Sequence, residues 1–259
     1  MGNIIWKKNE GEERVIIEMN KKLKIPYPLK EHYNRIIPLN IFQTWVSKKL
    51  PPLMGQTMFN IKKINPRFNY FLFDDNVCRE FIRTHFKPDV VDAYDRLIPG
   101  AYKADLWRLC VLFINGGIYM DIKFCGVNGF KFIELTEHEH FVKDRVPNSI
   151  YNALLSSRKG NMFLFKCIRQ IVENVKNNYY GKTPLSPTGP EMMGLVIMKN
   201  KLGVNIDMIH YEGGGYIIYK NRFIISTEYP EYDNERTAQN NRNNTKRYDK
   251  LWNERRIYK

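Results

Sequence analysis

The apolar residues of this chain fall into short runs of two kinds, and the first kind predicts strands. The run at residues 36–45 is apolar and β-branched, and the run at 68–74 is rich in aromatic residues. A third run, IYMDIK at 118–123, starts directly after a glycine pair. Apolar residues on both sides of Lys220 and Asn221 predict a hairpin whose turn lies at that pair. The lengths and compositions of these runs are typical of core strands.

Between these runs, apolar residues recur at helical spacing. The clearest predicted helix carries Leu106, Leu109, Cys110 and Phe113, and it ends at the glycine pair 116–117. Further helices are predicted from the residues that start or stop them. One ends before Pro66, and others start at Asp74 or Asp75, at Pro88 and after the proline-rich loop at 183–190. The segment 158–178 predicts another helix from its amphipathic period. Strands that alternate with helices in this way predict an α/β fold.

The chain divides into three parts by composition. Residues 1–35 are charged and weakly patterned and predict an N-terminal helix or arm, and residues 36–226 predict the α/β core. Residues 227–259 are polar and rich in tyrosine, which predicts a loop or a partly ordered tail. A length of 259 residues is enough for one large domain with a sizeable core.

The sequence shows neither a targeting segment nor a membrane segment. No apolar run approaches the roughly 18 residues that a membrane span needs, and the N-terminus is too charged for a secretory signal. We therefore expect a cytoplasmic location, which for a viral protein would be the cytoplasm of the host.

The net charge of +14 favours an anionic partner, such as nucleic acid, acidic lipid, acidic glycan or a phosphorylated small molecule. The basic residues are spread along the chain without zinc-finger spacing or an RNP-like aromatic motif, so nucleic acid is not the expected partner. The chain also lacks the G-x-G-x-x-G and P-loop motifs, which excludes the common dinucleotide and triphosphate cradles.

The segment GGIYMDIK, residues 116–123, places an acid at the end of a predicted buried strand. Side chains alternate along a strand, so Tyr119, Asp121 and Lys123 are expected on one face and the apolar residues between them on the other. Ligands tend to bind at the carboxyl edge of an α/β sheet, where such an acid opens. The alternative is an aspartate that only satisfies loop amides.

Asp105 and Arg108 lie three residues apart on the predicted helix before this strand, so they share a helix face. Apolar residues crowd around that face, which indicates that the pair is half-buried. An acid that accepts from sugar hydroxyls and an arginine that binds phosphate would suit a polyhydroxylated, phosphorylated ligand. The alternative is an intrahelical ion pair with no further role.

The stretch AYKADLWRLCVLFINGGIYMDIK at residues 101–123 resembles the sugar-binding region of DXD-motif glycosyltransferases, in particular glycosyltransferase family thirty-two. The pattern of that family runs roughly Ala-x-x-Asp-x-x-Arg, then Gly-Gly-Ile-Tyr-x-Asp-x-Asp. Segments similar to other parts of the family follow the same order, and they read IPLNIFQTW, INPRFNYFLFDD, SPTGPEMM and YDKLWNERRIY. The resemblance covers about residues 36–258.

This resemblance implies a GT-A type fold, which is a Rossmann-like single α/β domain with a central mixed sheet flanked by helices. It implies an enzyme that transfers a hexose from a UDP- or GDP-linked sugar donor to a glycan or glycoconjugate acceptor. It also implies retention of the anomeric configuration. A front-face mechanism, in which the leaving phosphate takes the acceptor proton, agrees with the lack of an obvious general base in the sequence.

The resemblance assigns roles to the residues that match the family. Asp121 would be the first acid of the motif, Asp105 would hold sugar hydroxyls, and Arg108 would contact the sugar or the diphosphate; all three are expected to be catalytic. The donor would be bound by Trp45, Gln43, Tyr119, Lys123, Thr188, Gly189, Pro190 and Trp252, and the C-terminal tail would close over it. The alternatives are that Trp45 is a core aromatic and that Trp252 is packed on the surface.

Lys123 departs from the pattern, because the family has a second aspartate there that normally binds the metal directly. The resemblance implies a divalent metal, Mn²⁺ or Mg²⁺, with Asp121 as a ligand. Three interpretations stay open. Asp121, the diphosphate and waters still hold the metal while Lys123 pairs with Asp121, or the Lys123 ammonium replaces part of the metal's electrostatic role, or activity is lost.

Two other classes of function compete with a glycosyltransferase. A protein that binds a sugar nucleotide or a glycan without catalysis would bind the donor and turn nothing over. A basic nucleic-acid-binding protein would show a steep salt dependence and no response to sugar nucleotides. The residues do not distinguish a UDP-linked donor from a GDP-linked one, and they do not name the acceptor.

Overall fold

The fold of the chain is known from a computed structural model, which describes residues 28–211, 213–243 and 246–259. The N-terminal helix or arm predicted for residues 1–35 lies for the most part outside the described residues. The part of that segment that is described, residues 28–35, contains neither helix nor strand.

Nine strands of the described residues form one mixed sheet. In chain order they are β1 (Asn40–Thr44), β2 (Asn69–Phe73), β3 (Gly117–Met120), β4 (Cys125–Gly126), β5 (His140–Lys143), β6 (Ile150–Ser157), β7 (Ile206–Tyr211), β8 (Tyr216–Tyr219) and β9 (Arg222–Ser226). Their spatial order is β2-β1-β3-β6-β5-β7-β8-β9-β4. Parallel pairing joins β1 to β2 and β3, and β5 to β7, while β6 runs antiparallel between β3 and β5. The carboxyl ends of β1, β3, β5 and β7 therefore lie along one edge of the sheet.

Eight α-helices of the described residues flank or border this sheet. They are α1 (Pro52–Ile64), α2 (Asp75–His85), α3 (Pro88–Arg96), α4 (Gly100–Asn115), α5 (Met162–Lys176), α6 (Pro190–Asn200), α7 (Tyr232–Asn243) and α8 (Tyr248–Asn253). A short 3₁₀ helix covers Phe132–Leu135. None of the helices in the described ranges is long and apolar enough to cross a membrane.

An apolar core lies on each face of the sheet. On one face Phe42 and Tyr119 pack among residues of α4, α5 and α6. Trp107 of α4 belongs to this cluster and is fully buried. On the other face Ile118 and Met120 join a separate core cluster. The alternation predicted along β3 is confirmed, because neighbouring residues of this strand enter opposite cores.

Several end signals read from the sequence act as predicted. The side chain of Asp74 accepts from the backbone N–H of Val77 at 3.0 Å and caps α2. Gly116 has a φ of 63° and ends α4 in a conformation that favours glycine. Lys220 and Asn221 both have positive φ and form the tight turn between β8 and β9.

The structure corrects two predicted boundaries. β3 ends at Met120, so the predicted strand at 118–123 is shorter than expected. The backbone N–H of Phe124 donates to the Asp121 carbonyl at 3.1 Å, which makes residues 121–124 a turn. A turn frees Asp121 and Lys123 from strand alternation. The segment SKKLPPLMG at residues 47–55 predicts a loop, but helix α1 starts within it at Pro52, because proline suits the first turn of a helix.

The C-terminal tail is more ordered than its composition predicts. Residues 227–259 include α7 and α8, and Ile257 and Leu251 are buried. Tyr258 forms an isolated antiparallel bridge with Leu97, just before α4. Tertiary packing against the start of α4 supplies the order that the polar local sequence does not predict.

Candidate functional site

A cleft of about 590 Å³ opens at the edge of the sheet where β1 and β3 end. Its lining comes from the first half of α4, the turn after β3, the start of β6, and the chain between β9 and α8. Eight of the residues predicted for the site line it, namely Trp45, Asp105, Arg108, Tyr119, Asp121, Lys123, Gly189 and Pro190. The other three, Gln43, Thr188 and Trp252, lie outside this lining.

Asp105 is a buried acid whose two oxygens are both used. Oδ1 accepts from Nδ2 of Asn152 at 2.9 Å and lies 3.3 Å from Nη2 of Arg108, and Oδ2 accepts from the hydroxyl of Thr188 at 2.7 Å. Burial raises the pKa of Asp105, and Arg108 and the two hydrogen bonds oppose that shift. Thr188 therefore does not line the cleft itself but contacts Asp105, which does.

Arg108 joins Asp105 to Asp121. Its guanidinium is buried, donates to the Asn152 carbonyl at 2.7 Å, and lies 3.6 Å from Oδ1 of Asp121. The guanidinium carbon also lies 4.4 Å from the ring centre of Tyr119. The prediction that Asp105 and Arg108 share a half-buried face is confirmed, and the pair is more deeply buried than expected.

Asp121 is held from several directions and still reaches the cleft. Its Oδ1 accepts from the Tyr119 hydroxyl at 2.9 Å, and its carbonyl accepts from Nε2 of Gln43 at 3.3 Å. The hydroxyl of Tyr70 in turn donates to Oε1 of Gln43. The Asp121 side chain is 28% exposed, against 6% for Arg108, so it is the part of this network that a ligand can contact. Gln43 acts here by holding the Asp121 backbone.

Lys123 pairs with Glu228 and not with Asp121. Its ammonium lies 2.8 Å from Oε1 of Glu228 and 4.8 Å from the ring centre of Tyr232. Burial disfavours the charge of this ammonium, but Asp121 and Glu228 outweigh burial and raise the pKa of Lys123. The lysine therefore carries its positive charge at neutral pH. The pairing with Asp121 that one of the three open interpretations includes is not found, because the turn after β3 directs Lys123 to the chain that follows β9.

Trp45 lines the cleft at the end of β1. The guanidinium carbon of Arg236 lies 4.8 Å from its ring centre, so one face of the indole is covered by a cation from α7. The indole also packs with the cluster of Met54, Ile122 and Tyr229. Trp45 is thus both a packed aromatic and a wall of the cleft, and its contact with a donor base stays a prediction.

The remaining predicted residues lie at two other places. Gly189 and Pro190 form the wall of the cleft where α6 begins, and a Cβ on Gly189 would lie 3.2 Å from the Leu185 carbonyl. Trp252 on α8 donates its indole N–H to the Tyr180 carbonyl at 2.7 Å. Its predicted contact with a diphosphate stays a prediction.

The surroundings of Asp121 are a poor fit for a divalent metal. Within the described ranges, no three histidine, cysteine, aspartate or glutamate side chains are grouped so that they could hold a metal ion. Oδ1 of Asp121 already accepts from Tyr119 and faces Arg108, and a charged lysine stands two residues on. Asp121, the carboxylate that would hold the ion, lies beside Arg108 and two residues before the charged Lys123.

Several residues of the site were not predicted from the sequence. Asn152 binds both Asp105 and Arg108, Tyr151 lines the cleft beside it, and Glu228 pairs with Lys123. An asparagine within the apolar stretch of β6 was the signal that could have identified Asn152. Glu228 lies in the polar tail and carries no local signal.

Comparison with known proteins agrees with the chemistry of this cleft. Residues 53–142 match the glycosyltransferase sugar-binding region containing DXD motif. The chain is 28% identical over 161 residues to inositol phosphoceramide mannosyltransferase 3 of Schizosaccharomyces pombe, which covers 62% of this chain and 44% of that protein. It is 29% identical over 115 residues to the initiation-specific alpha-1,6-mannosyltransferase of Candida albicans, covering 42% and 29% of the two chains. The resemblance to glycosyltransferase family thirty-two is therefore confirmed.

A viral relative and a solved structure complete the comparison. The uncharacterized glycosyltransferase L373 of Acanthamoeba polyphaga mimivirus is 34% identical over 89 residues, covering 34% of this chain and 36% of that protein. The PaToxG glycosyltransferase structure matches with a TM-score of 0.50 and 17% identity over 73% of this chain and 78% of that one. The predicted GT-A type fold is confirmed. The chain spans less than half the length of each of these curated relatives.

Proposed function

We propose that this chain, which carries the sugar-binding region of DXD-type glycosyltransferases, transfers a hexose from a nucleotide-diphosphate sugar to a glycan or glycoconjugate. One observation supports this most strongly. Asp105, Arg108, Tyr119 and Asp121, which the sequence pattern selects, meet in one network at the carboxyl edge of the sheet and open into one cleft. The cleft is large enough for such a donor, since small-molecule sites are about 300–1,000 Å³.

The geometry supports a division of roles within the cleft. The exposed part of the Asp121 carboxylate accepts from hydroxyl groups of the donor, and Arg108 holds that carboxylate in place from behind. Lys123 supplies a positive charge on the same side of the cleft for the diphosphate. Trp45 offers an aromatic edge for the base at the end of β1.

The reaction that suits these residues proceeds with retention of configuration. The bond between the anomeric carbon and the donor phosphate oxygen breaks, and the diphosphate leaves with the electron pair. The acceptor oxygen bonds to the anomeric carbon on the same face, and its proton passes to the leaving phosphate. This step needs no protein base, which agrees with the lack of an obvious general base in the sequence.

Mannose is the first sugar to test. Two of the relatives in the comparison are named mannosyltransferases, and one of these names gives inositol phosphoceramide as the acceptor. A donor panel of UDP- and GDP-hexoses that includes GDP-mannose therefore covers the proposal. Inositol phosphoceramide and mannose-terminated glycans are the acceptors to include.

Release of nucleoside diphosphate from this panel tests the proposed function. One donor class should be consumed, and Asp121→Asn should lower the rate by about 100-fold or more, as loss of a charged group at a reacting centre does. Asp92→Asn is the matched control, because Asp92 is an exposed acid on α3 that does not line the cleft. It should leave the rate unchanged.

Two results would contradict the proposal. Equal rates for the wild type and Asp121→Asn would show that the cleft is not the reacting site. Binding of a sugar nucleotide without any release of nucleoside diphosphate would favour the non-catalytic binding protein.

A further inference from the structure

The DXD region of this chain has a cation where its motif name requires an acid. The sequence reads Asp121, Ile122, Lys123, and the Lys123 ammonium lies in the cleft lining. DXD-type glycosyltransferases generally use a divalent metal between the acids and the diphosphate. Here Asp121 is engaged by Tyr119 and Arg108, which leaves it a poor metal ligand.

Two further cations reach the same cleft from the C-terminal part of the chain. Lys246 and Arg247 precede α8 and line the cleft together with Tyr248. Their ion pairs are with residues of their own segment, since Lys246 lies 2.6 Å from Glu254 and Arg247 lies 3.4 Å from Asp249. Both side chains are about half exposed or more, so they can turn toward a ligand at little cost.

We propose that the donor diphosphate is bound by Lys123, Lys246 and Arg247, and that these side chains do the work of the divalent metal. This inference rests on the proposed function and adds how the leaving group is stabilised. A divalent ion together with the second acid of the family pattern carries a net charge of +1, and Lys123 supplies the same charge at the sequence position of that acid. Lysine and arginine are both established binders of phosphate groups.

Glu228 holds the place of the diphosphate before the donor arrives. It pairs with Lys123 at 2.8 Å, and its own side chain is 47% exposed. Lys123 itself is only 21% exposed, so Glu228 is the partner that water can solvate when the pair opens. Lys123 can therefore exchange the Glu228 carboxylate for a phosphate oxygen, which keeps its charge paired throughout. When the sugar–phosphate bond breaks, the ammonium keeps its protons and stabilises the charge on the leaving diphosphate.

Calorimetric titration of UDP and GDP, once with EDTA and once with Mn²⁺, tests this inference without relying on turnover. Wild-type protein should bind one of the two with nearly the same affinity in both conditions. Lys123→Met keeps the apolar stem of the side chain over Tyr232 and should weaken binding by about 10-fold to 100-fold. Lys123→Arg should restore most of the affinity, and Lys246→Ala or Arg247→Ala should each weaken binding less.

Lys166→Ala is the matched control, because Lys166 is a surface lysine whose ammonium donates to Asn200 on α6. It removes the same charge and should leave nucleotide affinity unchanged. A second readout follows free Mn²⁺ by electron paramagnetic resonance in the presence of the nucleotide. Wild type should leave Mn²⁺ free, while Lys123→Asp, which restores the second acid, should bind it.

The possible outcomes distinguish a failure of this inference from a failure of the proposed glycosyltransferase function. Nucleotide binding that requires Mn²⁺ in the wild type, or equal affinity in Lys123→Met, overturns the inference and leaves the proposed function intact. Binding of neither nucleotide in either condition overturns the proposed function and this inference with it.

Discussion

At the scale of single residues, Arg108 joins the two acids of the site. Its guanidinium is 3.3 Å from Asp105 and 3.6 Å from Asp121, and it also donates to the Asn152 carbonyl. The two acidic neighbours offset the cost of burying the charge of the arginine, and without the arginine the charge of the buried acid would have no opposite charge beside it. Arg108 is therefore a cation that both carboxylates share, in addition to the hydrogen bonds that Asp105 accepts from Asn152 and Thr188 and that Asp121 accepts from Tyr119.

Replacing Arg108 should destabilise the whole domain. Arg108→Met keeps much of the volume but leaves Asp105 as a buried charge without its cation. Breaking a buried pair in this way costs about 3–5 kcal/mol of the free energy of unfolding. Urea unfolding of the wild type and the variant at neutral pH measures this loss.

Arg169→Met is the control for that experiment. Arg169 pairs with Asp89 on the surface, and both side chains are more than 40% exposed. Exposed pairs contribute little, so this variant should unfold at nearly the wild-type urea concentration. Equal losses in the two variants would contradict the assigned role of Arg108.

The local part of this site could be predicted from the sequence, and the rest could not. Asp105 and Arg108 lie on one turn of a helix, so their spacing alone indicates that they meet. The partners of Arg108 and Lys123 lie much farther along the chain, since Asn152 is 44 residues from Arg108 and Glu228 is 105 residues from Lys123. Such contacts depend on sheet order, which no local pattern contains.

At the scale of elements, helix α6 packs unusually close to the turn before β6. A Cβ on Gly194 would lie 1.7 Å from the backbone carbonyl oxygen of Asn148 and 3.1 Å from Cα of Ser149. The helix and the turn can approach only because residue 194 has no side chain. This contact fixes the start of β6, which carries Asn152 into the cleft.

Gly194→Ala should therefore destabilise the domain although alanine favours helices. The clash is with backbone and cannot be relieved by a rotamer change, so we expect a loss of about 3 kcal/mol or more in the free energy of unfolding. Gly55→Ala in α1 is the matched change, because nothing lies within 4 Å of its Cβ position. It should stabilise the protein by up to about 1 kcal/mol.

Thermal or urea unfolding of both glycine variants decides the point. The predicted result is a change of opposite sign for the two positions. A neutral or stabilising effect of Gly194→Ala would show that α6 and the turn are farther apart than described.

The elements that the sequence predicted well are those with strong local signals. β1, β2 and the hairpin of β8 and β9 have compact apolar runs and turn residues, and α2 has its aspartate cap. β5, β6 and β7 were not predicted. β5 has only four residues, β7 has Asp207 and His210 among its apolar residues without regular alternation, and β6 includes Asn152 among its apolar residues. Their strand structure is stabilised by pairing with distant neighbours.

At the scale of the whole molecule, the cleft is assembled where β1 and β3 end and where the C-terminal helices return. Residues from α4, the turn after β3, β6 and the chain after β9 all line it. The division into residues 36–226 as core and 227–259 as a closing tail stays a prediction, as does the cytoplasmic location. For the molecule as a unit, we propose that this cleft binds a nucleotide-diphosphate sugar.

The change in melting temperature with a panel of UDP- and GDP-sugars tests that claim most directly. A ligand at about 100 times its dissociation constant stabilises the folded state by about 2.7 kcal/mol, which for a chain of this size raises the melting temperature by about 5–10 °C. We predict such a rise with one nucleotide class and a smaller rise with its monophosphate, which lacks the second phosphate. No rise with any nucleotide sugar would contradict the account.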